Sequence, residues 1–145
     1  MESVPAGDPF AERVGDQMLD SPFTTPQTAS LEKNLATAHA ITGLRFSIYV
    51  GALPAGRDSA IALQRKMADP GLSVLIAVDP DQRTLEIVTG PLIVERVDQR
   101  ACQLASLAMT SRFAIGDIAA GLRDGIFVLA EHARVPATLH TYQPG

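Results

Sequence analysis

Leu72-Ser73-Val74-Leu75-Ile76-Ala77-Val78 decides the fold. The run is short, almost wholly apolar, and bounded by Pro70-Gly71 on one side and Asp79-Pro80-Asp81 on the other. Those features describe a strand buried on both faces, and such a strand needs a layer of helix above and below it. Downstream, after the Asp79-Pro80-Asp81-Gln82 turn, Thr84 to Thr89 places Leu85, Ile87 and Thr89 on one side and completes a hairpin. Upstream, Leu44 to Val50 alternates, with Leu44, Phe46, Ile48 and Val50 on one face and Arg45, Ser47 and Tyr49 on the other. A helix capped by Asp58 and running to about Ala68 lies between these strands, so they form a right-handed parallel crossover.

Further out, Thr25-Pro26 starts a first helix with a capping hydroxyl followed by proline. Its apolar stripe is Leu31, Leu35, Ala38 and Ile41, and Gly43 ends it. Gly90-Pro91 breaks the chain after the hairpin and leaves Leu92 to Val94 as a short fourth strand. Asp98 and Asp117 cap two closing helices, the second carrying Ile118, Leu122, Ile126 and Leu129 on one face. Gly121 and Gly125, four apart, suit a close approach to a neighbouring element. The expected class is α/β: a small mixed sheet of three or four strands with helices on both faces. Residues 23–134 form the domain, residues 1–22 a flexible acidic arm and residues 135–145 a flexible tail.

Composition narrows the function. The chain has 145 residues, room for one core, and a formal charge of −4. Five acids against Arg13 in residues 1–20 carry all of that charge; the rest balances eleven acids with eleven bases. A protein so charged, with its arginines scattered, is not expected to bind nucleic acid by neutralising phosphates. In the arm, Phe10, Val14 and Met18 fall at helical spacing and suit docking on the body or on a partner. Cys102 is the single cysteine, which excludes an internal disulfide and fits a reducing compartment. The start, Met1-Glu2-Ser3-Val4-Pro5, has neither the basic residues nor the apolar run of a signal peptide. Phe113 to Ala130 is interrupted by Asp117, Arg123 and Asp124, so no membrane insertion is expected. The expected location is the cytoplasm.

No complete catalytic constellation stands in the sequence. Asp79-Pro80-Asp81 has the form of the D-x-D pair of haloacid-dehalogenase-type phosphatases. Arg83 stands where that motif wants a small residue, however, and the next strand begins at once, so the segment reads as a turn. His39, His132 and His140 are far apart and unpaired with cysteine, which argues against zinc. Ser73, Ser106 and Ser111 lack the G-x-S-x-G elbow. Cys102, in an apolar helical stretch, reads as a small buried hydrophobe. Asp20, Asp58, Asp98 and Asp117 each stand at a helix start, where a carboxylate caps backbone N–H groups. If some converge at one sheet edge they would bind a hard cation such as Ca²⁺.

From Pro22 to Ala133 the order of signals resembles the TPM domain family. The carrying residues are Leu31 through Gly43-Leu44-Arg45-Phe46-Ser47-Ile48-Tyr49-Val50, then Ser73-Val74-Leu75-Ile76-Ala77-Val78. Leu85-Glu86-Ile87-Val88-Thr89-Gly90, Phe113-Ala114-Ile115-Gly116-Asp117 and Gly121-Leu122 follow. The chain is most similar to a soluble actinobacterial branch of unassigned function. The resemblance implies an α/β/α sandwich, with Ca²⁺ binding or acid phosphatase activity in some members through aspartates on loops at one sheet edge. By position, Asp98 matches the family's acid after the glycine turn, and Asp58 lies near its acid before the second helix. The chain is expected to depart from the family in lacking a signal or anchor. Its glycine turn also reads Thr89-Gly90-Pro91 where many members have Gly-x-Gly. For some soluble relatives the resemblance implies association with respiratory cytochrome oxidase complexes.

Three expectations follow. The first is a non-enzymatic accessory protein that docks on a larger assembly through a protein partner, without cofactor. The alternative is a Ca²⁺-binding domain with weak phosphatase activity using Asp58 and Asp98. The third is a plain self-associating domain, which would show a concentration-dependent mass in solution.

Overall fold

A computed structural model describes residues 23–134. The expected arm and tail, and Asp20 with them, lie outside the described residues. Helix α1 spans Thr25–Thr42 and is capped by Thr24, one residue before the expected Thr25. The shift has a local cause. Gln27 stands three residues after Thr24, so the Thr24 hydroxyl accepts from Gln27 N at 3.1 Å while Gln27 Oε1 accepts from Thr24 N at 2.8 Å. At the other end Gly43 takes φ 77° and donates its N–H to His39 O, a left-handed turn that glycine enters without a Cβ penalty.

Strand β1 (Arg45–Val50) follows at once, then helix α2 (Arg57–Arg65), β2 (Ser73–Asp79) and β3 (Thr84–Thr89). Helices α3 (Gln99–Phe113) and α4 (Ile118–Ala133) close the domain. The sheet order is β1-β2-β3. β1 runs parallel to β2 in register from Arg45 opposite Ser73 to Val50 opposite Val78. β3 is antiparallel to β2, with Thr89 opposite Val74 and Thr84 opposite Asp79. The fold is α/β, a three-stranded mixed sheet with helix on both faces. Every residue of β2 is buried, as its composition requires.

Three expectations fail for local reasons. Leu92 to Val94 is not a fourth strand: Pro91–Ile93 forms a 3₁₀ turn, with Pro91 setting the turn and Ile93 pinned in the core. Asp58 does not cap α2. Gly56 occupies the cap position without a side-chain bond, and Asp58 lies inside the first turn. That helix also stops at Arg65 rather than near Ala68, because the chain must turn back through Asp69-Pro70-Gly71 into β2. Asp98 and Asp117 do cap, accepting from Ala101 N at 2.9 Å and from Ala120 N at 3.1 Å.

The two faces of the sheet are covered unequally. Phe46, Ile48, Val50, Val74, Ile76, Val78 and Ile87 share one core with side chains of α1, α3 and α4. On the opposite face Leu75, Ala77 and Val88 meet only Leu53, Ala60 and Met67, with Tyr49, Ile61 and Leu63 at the margin. Helices α3 and α4 pack tightly: a Cβ at Gly121 would strike Phe113, and one at Gly125 would strike Met109. The close approach expected of this glycine pair is therefore against α3. Arg96 ties the layer together by donating to Thr42 O at 2.9 Å and to Ala133 O. One guanidinium thereby meets the C-terminal carbonyls of both α1 and α4, where a cation is favoured.

Candidate functional site

Strand β3 is an edge, and its ladder to β2 uses only one side of its backbone. Gly90 N donates to Ser73 O on the β2 side, while Ile87 O accepts from outside the sheet. Since alternate residues of a strand turn their polar groups the same way, Leu85, Ile87 and Thr89 present N–H and C=O to the open edge. Helix α3 overhangs this edge without closing on it. Between them lies a groove of about 840 Å³. Leu85, Ile87 and Thr89 form its floor, Cys102, Ser106 and Thr110 of α3 one wall, and the exposed Val94 and Leu107 its apolar rim.

Arg57 reaches the groove from the start of α2. Its Nη1 lies 3.0 Å from Glu86 Oε1 and donates to Ile87 O at 3.3 Å, so a guanidinium crosses the middle of the open edge. Asp98 lines the same groove, with Oδ1 occupied by the α3 cap. Cys102 is half-buried in the wall, and burial first, then the Asp98 carboxylate, push its thiol up, against a lesser downward pull from Arg57. A thiol held protonated is a poor nucleophile. In chemical terms the groove supplies strand hydrogen bonds, apolar contact and one compact ion pair.

The expected metal residues sit differently from each other. Asp98 lines the groove beside Arg57, whereas Asp58 is exposed on the first turn of α2 and does not line it. Among the described residues no three His, Cys, Asp or Glu side chains gather where they could hold a metal ion. Ca²⁺ takes about six to eight oxygen ligands, which two separated carboxylates do not provide. Asp79 is buried and accepts from Leu53 N at 2.8 Å and Gln82 N at 3.2 Å. It organises the hairpin turn and anchors the loop after β1, as the turn reading of Asp79-Pro80-Asp81 requires. His39 and His132 are each 3.0 Å or less, through Nδ1, from a nearby carbonyl, Leu44 O and Val128 O.

Arg57 and the groove were not legible in the sequence. Arg57 opens a helix like any surface arginine, and its partner Glu86 lies 29 residues away. A second, smaller hollow of about 250 Å³ borders β1, between α1 and Met67. No helix among the described residues is long and apolar enough to cross a membrane.

The chain is 32% identical over 119 residues to uncharacterized proteins from two strains of Mycobacterium tuberculosis, covering 80% of this chain and 70% of each of those proteins. Its fold is similar to that of the BA42 protein of the psychrophilic bacterium Bizionia argentinensis, with a TM-score of 0.67, 17% identity, and 79% and 83% of the two chains covered. The N-terminal domain of a protein from P. gingivalis aligns with a TM-score of 0.63 at 18% identity over 81% and 86% of the chains. The N-terminal domain of the cg2496 protein from Corynebacterium glutamicum aligns with a TM-score of 0.63 at 12% identity over 77% and 74%. At these identities the likeness concerns the fold alone. Residues 10–130 match the family described as a domain of unknown function, DUF5130. With most of its length inside that match, the chain belongs to the DUF5130 family.

Proposed function

We propose that this protein acts by binding other protein rather than by catalysis, as an accessory component of a larger assembly. The observation that carries the reading is the chemistry of the groove. Its polar groups are those of an open strand edge, its rim is apolar, and its cysteine is held protonated. A strand edge beside an apolar rim is a surface that recognises polypeptide. The resemblance to the TPM domain family supports the same direction, and it makes a respiratory cytochrome oxidase complex, approached from the cytoplasmic side, the first assembly to examine.

The test is recovery of the tagged full chain from its native cells in mild detergent, followed by mass spectrometry. Stoichiometric recovery of a membrane complex is the expected result. Recovery of the chain alone, together with a millimolar Ca²⁺-dependent rise in melting temperature that Asp98→Asn abolishes, would overturn the reading in favour of a cation-binding domain.

A further inference from the structure

We propose that residues 138–142 of this chain lie along the outer edge of β1 as a fourth strand, parallel to it. This edge is across the sheet from the groove, so the added strand is independent of what the groove binds. Four observations select this occupant.

The first is the backbone of β1. Gly51 N donates to Val78 O, so the alternates Tyr49, Ser47 and Arg45 also face β2. Phe46, Ile48 and Val50 therefore turn N–H and C=O away from it. Among the described residues β1 pairs with β2 alone. Ile48 is nevertheless 0% exposed, and buried backbone groups are paired in the great majority of cases. At the opposite edge Arg57 supplies a cover by donating to Ile87 O. Among the described residues no side chain does the same for β1.

The second is where the chain leaves the domain. Arg96 donates to both Thr42 O and Ala133 O, so α4 ends beside the end of α1, three residues before β1 begins. Arg134 departs with φ −58° and ψ 137°, an extended conformation. Val135 precedes Pro136, which disfavours a return to helix. The tail thus starts at the N-terminal end of the β1 edge, and a strand continuing from there runs parallel to β1.

The third is sequence. Thr138-Leu139-His140-Thr141-Tyr142 has the β-branched and aromatic content of a strand and is bounded by Pro136 and Pro144. Residues 1–22, which also lie outside the described residues, carry five acids and a helical spacing of apolar residues instead. The tail on this account is the fourth strand that Leu92 to Val94 does not supply.

The fourth is the hollow of about 250 Å³ on this side of the sheet. Leu35 and His39 of α1, Arg45 and Phe46 at the start of β1, and Met67 line it. It lies at the end of β1 where the tail departs, and Leu139 is the apolar side chain that fills it.

The experiment is NMR of the isotopically labelled full chain. Backbone proton contacts between residues 138–142 and Phe46–Val50 are expected, with slow amide exchange at Phe46, Ile48 and Val50. Combining Leu139→Pro with His140→Pro removes two successive N–H groups, one of which must face β1. Exchange at Ile48 should then quicken by about tenfold, the equivalent of one lost hydrogen bond, while Tyr49, bonded to β2, stays unchanged. Absence of contact between residues 138–142 and β1 in the unaltered chain overturns the proposal, whatever the variant does. Unchanged exchange at Ile48 in a folded double variant overturns it as well. Contacts along β1 from residues 1–22, or contacts found only between differently labelled copies, also overturn it, by giving the edge to the arm or to a second chain.

Discussion

The two faces of the sheet solve the same problem with different means. One face lies under three helices and is held by a continuous apolar core, with Leu122, Leu129 and Met109 fully buried and Gly121 and Gly125 letting α3 and α4 meet. The other face has the nine residues of α2, with Leu53 and Met67 flanking them. There polar anchors substitute for apolar area. The buried Gln64 donates to Pro70 O at 2.8 Å and Ser73 O at 3.1 Å, and the Ser73 hydroxyl donates to Ala68 O and Asp69 O. A short helix with little to bury is fixed by hydrogen bonds, which are directional, where a thick layer is fixed by packing, which is not. The two faces should therefore fail differently.

The largest effect is expected on the thick face. Leu122→Ala should lower stability by roughly 2–5 kcal/mol through lost burial and the cavity left behind, measured by denaturant unfolding. A change below about 1 kcal/mol would mean that the three-helix layer relaxes around the loss. On the thin face Gln64→Leu keeps the volume and removes the donor. Pro70 O keeps Ser73 N and Ser73 O keeps Gly90 N as donors, so losing the two Gln64 bonds should lower stability by about 1–2 kcal/mol. A neutral result would show that apolar contact holds α2 after all.

The caps sharpen the comparison. Asp98→Ala on the thick face should cost about 1 kcal/mol. Asp58→Ala on the thin face should change stability by less than about 0.5 kcal/mol, because no N–H depends on that side chain. Equal losses from the two would contradict the assignment of only one as a cap.

The smallest effect is a pH dependence. Burial first, and the Asp79 carboxylate second, raise the Tyr49 hydroxyl above its ordinary value of 10.0. The folded chain thus holds that proton more tightly than the unfolded chain does. The contribution is fully present below pH 10 and is lost as pH rises through the elevated folded value. Thermal melts above pH 10 should show a shallower alkaline decline in Tyr49→Phe than in the wild type; identical slopes would remove Tyr49 from the account.

In this chain the local elements are legible from the sequence and the distant contacts are not. The almost wholly apolar Leu72–Val78, the alternating Leu44–Val50, the carboxylates at Asp98 and Asp117 and the glycines at Gly121 and Gly125 each declare themselves within a few residues. Errors arose where a short segment had two acceptable local states and the tertiary structure chose. Leu92 to Val94 suits a strand by composition, but Pro91 and the burial of Ile93 made it a 3₁₀ turn. Asp58 suits a cap by residue type, but Gly56 already held the corner.

By itself the sequence determined the class, the sheet's central strand and most helix ends, because period, caps and turns are properties of neighbours along the chain. Only the tertiary structure decided which partners meet across long separations. It brought Arg57 to Glu86, Arg96 to the ends of two helices, and α3 to a position above β3 that leaves the edge open. No residue carries a local mark of a contact that chain folding creates 29 or 54 positions away, and the candidate site is made of such contacts.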